Sequence, residues 1–392
     1  MFFLTNPIEI TAYTSFLLVW AVNLFRVCQP NALNKKLKGK ENRRDTESAR
    51  QTEMPGISVI ILTENQEQKL TPLLENVLEQ AYDSFEVVVV DKNSTDNTRL
   101  LLENMEKRYE NLQHTFIPKD TRQVSIHTLA LILGAKAARY PWIVLLTPDF
   151  QPASGQWLRH LAAQMTADRD FVLGARSVNT GSSSLRAFHC LLEQNRFLSW
   201  AIGHQAFRCN EVNLAFRKEK LLSCKNFGEY GILLSGVESV FVNRFSQKER
   251  TGVCIEPEAL LLETETADSK NWKHEMLCQK EAARFYTHST LFRLCGGLRM
   301  TMIWLLFLLS ITALGISILT QHWEITAGIV ILLGLWTGLR IREMKTAAQL
   351  FRIKTAGIYL PFYDLRLSCV YLANRIRYAF QDRKVFYRNM FH

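Results

Sequence analysis

The sequence predicts an α/β domain wound around a mostly parallel sheet and held at a membrane through both ends. Three observations predict it. Residues 55–152 contain three apolar, β-branched runs, Ile57-Ser-Val-Ile-Ile-Leu62, Val87-Val-Val-Val-Asp91 and Trp142-Ile-Val-Leu-Leu-Thr-Pro-Asp149, each ending on a polar or acidic residue. Helix-like segments separate the runs, which is the pattern of a β-α-β sheet buried on both faces. Strongly apolar segments lie near both ends of the chain, and basic residues gather beside them.

After the first run, Leu70, Leu73, Leu74, Val77 and Leu78 fall at helical spacing, so this segment packs on the sheet. Residues 85–90 read as the second strand. Asn93-Ser94-Thr95-Asp96 supplies turn and N-cap chemistry for a helix reaching about residue 109. Residues 112–117 read as a short strand and 124–139 as a helix leading into the Trp142 strand. Further on, Phe171-Val-Leu173 is a short apolar run, 185–202 an amphipathic helix, 213–217 a strand and 237–245 a helix.

The net charge of +10 raises the question of nucleic acid. The excess sits instead beside the apolar segments, with eight Lys and Arg between Arg26 and Arg50 and others at Arg340, Arg342 and Lys345. Basic flanks on the cytoplasmic side of membrane spans account for it, and no basic-aromatic recognition motif accompanies it. Nucleic acid is therefore not an expected partner; a lipid bilayer is. Eight cysteines without a Cys-x-x-Cys pair read as free thiols in a reducing compartment.

Residues 10–25 carry no charge, with Trp20 and Arg26 as interface anchors, and read as an N-terminal span. A signal peptide is disfavoured, because the positive charge follows the apolar run and no small-residue cleavage site is evident. Residues 300–323 and 325–339 are two further charge-free runs, forming a hairpin with basic inner ends. Beyond 346, apolar residues alternate with Arg and Lys, as expected of amphipathic helices on the inner leaflet. The expected division is an anchor at 1–28, a basic cytosolic linker at 29–53, an α/β domain at 54–292, a hairpin at 293–342 and an interfacial segment at 343–392.

Three carboxylates are candidates for chemistry. Asp91 ends a buried strand at the expected switch point, where open α/β sheets bind ligands, or it starts a turn. Asp149 ends another buried strand; it can hold a divalent cation against a diphosphate, or serve as a turn residue before Pro152. Glu238 opens a helix, where it can take a proton from an acceptor hydroxyl or simply answer the helix dipole.

Together, Ile57-Ser-Val-Ile-Ile-Leu-Thr-Glu-Asn-Gln-Glu67, Glu79-Gln-Ala-Tyr82 and Phe85-Glu-Val-Val-Val-Val-Asp-Lys-Asn-Ser-Thr-Asp96 resemble the family 2 glycosyltransferases of the GT-A fold, a three-layer sandwich. Leu129-Ala-Leu, Gly134-Ala-Lys-Ala-Ala, Asn213-Leu-Ala-Phe-Arg-Lys and the closing hairpin are similar to a membrane-anchored bacterial subgroup. The resemblance covers roughly residues 55–290. It implies binding of a nucleotide-diphosphate sugar, with Thr63, Glu64 and Asp91 around base and ribose and Asp149 at the metal position, for Mg or Mn. Glu238 aligns with the base of an inverting displacement. The implied acceptor is a lipid-linked or polysaccharide hydroxyl, and the implied site is a bacterial inner membrane with the transferase domain facing the cytosol.

The chain departs from that family at several charged positions. Lys92 and Thr147 stand where acids are common, Thr128 where the subgroup has Lys, Glu211-Val212 where Gly-Arg is expected, and the acidic cluster is Val237-Glu-Ser239. The second reading is accordingly a catalytically weakened homologue that serves as scaffold or regulator beside partner proteins of glycan assembly.

Overall fold

The computed structural model describes residues 7–28, 32–33, 54–117, 125–179, 184–224, 230–265, 269–288, 290–354 and 359–387. Of the expected basic linker, only Ala32 and Leu33 fall among them. In chain order the elements begin with α1 (Pro7–Cys28), β1 (Ile57–Thr63), α2 (Glu67–Leu78), β2 (Phe85–Asp91), α3 (Thr98–Glu106) and β3 (Leu112–Phe116). Next come α4 (Ile126–Ala137), β4 (Trp142–Leu146), β5 (Phe150–Pro152), α5 (Trp157–Ala162), β6 (Phe171–Gly174) and β7 (Arg176–Ser177). They continue with α6 (Ser184–Gly203), β8 (Leu214–Arg217), α7 (Lys218–Leu222), α8 (Val237–Phe245), β9 (Thr251–Cys254) and β10 (Leu261–Glu263). The last are α9 (Ser269–Ala282), α10 (Thr290–Leu319), α11 (Trp323–Leu350) and α12 (Leu360–Phe380).

Seven strands form the main sheet in the order β3-β2-β1-β4-β8-β6-β9. β1 is an interior strand parallel to both β2 and β4, while β8 runs antiparallel to β4 and β6. The chain leaves β1 toward β2 and β3, then returns to place β4 on the other side of β1. That reversal makes the crevice beyond the ends of β1 and β4 a topological switch point. β5, β10 and β7 form a smaller sheet.

Period-two alternation divides the core. Ile60, Leu62, Val88 and Val90 face one layer with Ala130, Leu131 and Ala135 of α4. Val59, Ile61, Val87 and Val89 face the opposite layer with Leu70, Leu73, Leu74 and Val77 of α2. The expected helical spacing of α2 is thus the face that packs, and the expected three-layer α/β sandwich is present. A Cβ at Gly134 would lie 2.7 Å from Ile60 Cγ2, so only glycine lets α4 approach β1 this closely.

Among the described residues three helices, α1, α10 and α11, are long and apolar enough to cross a membrane. Tyr13 and Phe16 of α1 pack with Leu306 and Ala313 of α10 and with Ile329 and Trp336 of α11. The hairpin helices extend past the expected limits of 293 and 342. Arg340 is a second difference: in place of an exposed basic flank it is buried, donating to Asp364 of α12 at 3.1 and 3.2 Å. α12 is a single helix whose Leu367 packs with Phe188 of α6, Trp272 of α9 and Met344 of α11. Its residues Phe362, Leu372, Ile376 and Phe380 remain exposed.

Candidate active site at the strand ends

The loops leaving β1 and β2 are laced together. Asn65, in the left-handed region at φ 52°, accepts from the Thr95 amide at 2.7 Å and donates its own amide to Ser94 Oγ at 2.8 Å. Asp91 is buried and accepts from the Ser94 amide at 3.0 Å and the Ser94 hydroxyl at 2.5 Å. It therefore organises the turn that shapes the crevice. Glu64 lies 3.3 Å from Lys92. Thr63 is sealed, and its hydroxyl has no hydrogen-bond partner.

Asp149, just beyond β4, accepts from Lys69 Nζ at 2.8 Å and Gln66 Nε2 at 3.3 Å, both from the start of α2. Lys69 also reaches Glu265 at 2.7 Å. Despite the burial that lowers it, the ammonium is held above its usual range by these two carboxylates. The Asp149 carbonyl accepts from the Thr264 amide at 2.9 Å, which fixes the loop after β10 against the strand end.

Glu238 opens α8 with a side chain 1% exposed, and His127 Nε2 from the first turn of α4 lies 2.5 Å from its Oε1. Its Oε2 has no partner. Burial alone would raise this carboxyl, but the imidazolium beside it outweighs burial and holds Glu238 below the usual carboxylate range. Burial works against His127 as well, and Glu238 overcomes it, raising the imidazole. Glu211 completes the group, accepting from Ser235 Oγ at 3.2 Å. Burial, with repulsion from Glu238 behind it, pushes Glu211 up to about 7. Gly236 makes the loop into α8 possible: at φ +88° it needs a left-handed backbone, and a Cβ there would stand 2.7 Å from that of Ala282.

Residues 58–221 match the family model Glycosyl transferase family 2. Over that stretch, which holds β1 to β4 and the strand-end loops, the chain is similar to the family 2 glycosyltransferases. Among solved structures, a mannosyltransferase from Pyrobaculum calidifontis in complex with GDP-Man and Mn2+ is similar over 87% of this chain and 95% of its own, with 16% identity and a TM-score of 0.49. Residues 1–349 of S. aureus TarS in complex with UDP-GlcNAc are similar over 82% and 92%, with 16% identity and a TM-score of 0.39. Glucosyl-3-phosphoglycerate synthase from Mycobacterium tuberculosis in complex with UDP is similar over 58% and 79%, with 13% identity and a TM-score of 0.41. No curated protein matches the sequence.

Within the matched stretch, Thr63, Glu64 and Asp91 lie at adjacent strand ends, with Thr63 directly opposite Asp91 in the β1–β2 register. Asp149 lies beyond the neighbouring strand β4. The sequence singles out neither His127 nor Lys69, and Glu211 only as a departure from the family's pattern. His127 had a signal: one residue before Thr128, it puts a basic side chain at the start of α4 where the subgroup's pattern calls for one. Lys69 had none, being one polar residue on an amphipathic helix.

The donor set around Asp149 does not fit a cation held by the protein. Its Oδ1 is already taken by Lys69 and Gln66, and Thr147 lacks the charge that a second ligand would bring. Among the described residues no group of three or more His, Cys, Asp or Glu is disposed to hold a metal. The positive charge at this position belongs to Lys69. Asn213, prominent in the sequence motif, is a framework residue: its amide donates to the carbonyls of Ala175 at 2.7 Å and Ala259 at 2.9 Å, and Trp157 donates to it at 3.0 Å.

Proposed function

We propose that this chain is a membrane-bound glycosyltransferase that moves a sugar from a nucleotide-diphosphate donor to a hydroxyl of a lipid-linked or polysaccharide acceptor, with inversion. Its transferase domain would face the cytosol at a bacterial inner membrane, which accords with the basic inner ends of the spans. The observation that carries the reading is the buried Glu238–His127 pair, near enough to Lys92 at the end of β2 for that cation to act on both groups. A base must be ionised before the acceptor arrives, and the imidazolium keeps the Glu238 carboxylate so.

In this reading the acceptor oxygen attacks the anomeric carbon as the bond from that carbon to the diphosphate oxygen breaks. The leaving nucleoside diphosphate takes the bonding pair, and the acceptor proton passes to the unpartnered Oε2 of Glu238. A single displacement inverts the anomeric centre. Lys69 and Lys92 are the cations at the strand ends, and they offset the charge of the departing diphosphate. The expected Mg or Mn has no protein-built site, so no step depends on it. Thr63, Glu64 and Asp91 border the region for base and ribose, Asp91 chiefly by holding the Ser94 turn.

A second reading has an observation of its own. Asp149, Glu238 and Glu64 each already have a cation partner within the chain, as in a site that has lost its ligand and neutralised itself. The homologue would then act as scaffold or regulator for partner proteins.

Transfer assays in membranes, with UDP- and GDP-sugars and an endogenous lipid extract, separate the two. Glu238→Gln keeps the shape of the side chain and removes the base. The first reading expects transfer to fall about 100-fold or more, with nucleotide binding unchanged; the second expects no transfer in the wild-type protein.

A further inference from the structure

The three long apolar helices are not apolar throughout. Arg26 in the last turn of α1, Arg299 of α10 and Arg340 of α11 converge around a cavity of about 50 Å³, together with Trp336 and Glu343. One water needs roughly 10–15 Å³, so the space suits a tetrahedral oxyanion. All three arginines lie at the end of the bundle where α1 leaves, α10 enters and α11 returns toward the transferase domain.

These cations are not equally engaged. Arg340 is committed, donating to both oxygens of Asp364 and to Glu343 at 2.5 Å. Arg299 Nη2 is 4.0 Å from Asp364 Oδ1, beyond hydrogen-bonding distance, and it is buried without a partner. The indole N–H of Trp336, a residue 2% exposed, is also without a partner. Two buried donors are costly unless an acceptor occupies the space beside them. Three guanidiniums against the carboxylates of Glu343 and Asp364 leave one positive charge over. An anion with several acceptor oxygens would match both donors and the extra positive charge.

We propose that this cavity binds a phosphate group carried by a membrane lipid, either an anionic headgroup or the phosphate of a lipid-linked acceptor. It rests on the reading that the three helices lie in a bilayer, which would put the cavity at the level of lipid phosphates on the transferase side. Bound phosphate would accept from Arg299 and Trp336, with Arg26 closing the open side.

The test uses the full-length protein in detergent and native mass spectrometry with phosphatidylglycerol, with diacylglycerol as its phosphate-free counterpart, and with inorganic pyrophosphate as competitor. Phosphatidylglycerol should be retained at least tenfold better than diacylglycerol. Arg299→Gln and Trp336→Phe should each erase most of that preference. Displacement by pyrophosphate at comparable concentration would identify a free anion as the occupant of the same chemistry; resistance to it identifies the lipid. Equal retention of the two lipids, or Trp336→Phe retaining phosphatidylglycerol as wild type does, overturns the proposal. Trp336→Phe keeps a buried aromatic ring and removes the indole N–H with part of the bicycle, so with the fold checked by its melting temperature it decides even if Arg299→Gln fails to fold. Nucleotide titration of the soluble site is independent of this result, so failure of one reading is distinguishable from failure of the other.

Discussion

His127 Nε2 and Glu238 Oε1 lie 2.5 Å apart although 111 residues separate them in the chain. One side chain opens α4 and the other opens α8, so the fold brings two helix starts to one point. The pair gives a nearly sealed carboxylate its charge. A helix N-terminus alone is worth about 0.3–1 kcal/mol to an anion at the surface, too little to ionise a buried acid by itself.

Replacing His127 with Asn should therefore change the pH dependence of transfer more than its geometry. With the imidazolium gone, burial again dominates and the Glu238 carboxyl rises. The acid limb of the kcat/KM profile should move to higher pH, and activity at pH 6 should fall more than activity at pH 8. A uniform loss at all pH values would mean that His127 does not set the charge of Glu238.

Glu211 makes the opposite prediction for stability. Its folded carboxyl is raised to about 7, while in the unfolded chain it ionises in the ordinary range near 4.3. The folded state thus binds a proton that the unfolded state has released between those values, and stability drops as pH rises through that window. Above about pH 7 the penalty is complete. Glu211→Gln should accordingly raise the melting temperature at pH 8 and leave it nearly unchanged at pH 4. Each kcal/mol recovered corresponds to about 2–4 °C in a domain of this size.

Gly236 should tolerate no side chain. Alanine there meets a left-handed backbone and the Ala282 Cβ at once, at a cost of about 1–3 kcal/mol. Because Gly236 precedes the first turn of α8, the strain falls on Ser235 and Glu238. Denaturant melts should show the loss, and transfer should drop further than stability alone explains.

The fold was legible because its carriers are local. The Ile57, Val87 and Trp142 runs are buried on both faces, and β-branched continuity announces that directly. Residues 237–245 were readable as a helix and fold as one. The smaller sheet was not readable, since β5, β7 and β10 have three residues or fewer and depend on partners far away in sequence. Arg340 shows the same dependence on a distant partner. A basic residue after an apolar run looks like an interface flank, and only Asp364, 24 residues later, turns it inward.

The site was half legible. Asp149 and Glu238 could be picked because acids at the ends of buried strands and at helix starts carry a local signal. Their partners could not. Lys69 and His127 are 80 and 111 residues from the acids they neutralise, and pairing at that range is a product of the fold. The Mg or Mn expected at Asp149 rests on the acid and on the family resemblance, neither of which reveals that Lys69 shares its Oδ1.

The central claim is a working donor site whose positive charge is Lys69. Its most direct test is calorimetric titration of the detergent-solubilised full-length protein with UDP, GDP, CDP and dTDP, in EDTA and again with Mn. The account predicts that one nucleotide binds in EDTA about as well as with Mn, and that Lys69→Met weakens that binding at least tenfold. Binding that vanishes in EDTA and returns with Mn would contradict the role given to Lys69. A folded protein that binds none of the four in either buffer would contradict the donor site itself and leave the scaffold reading in its place.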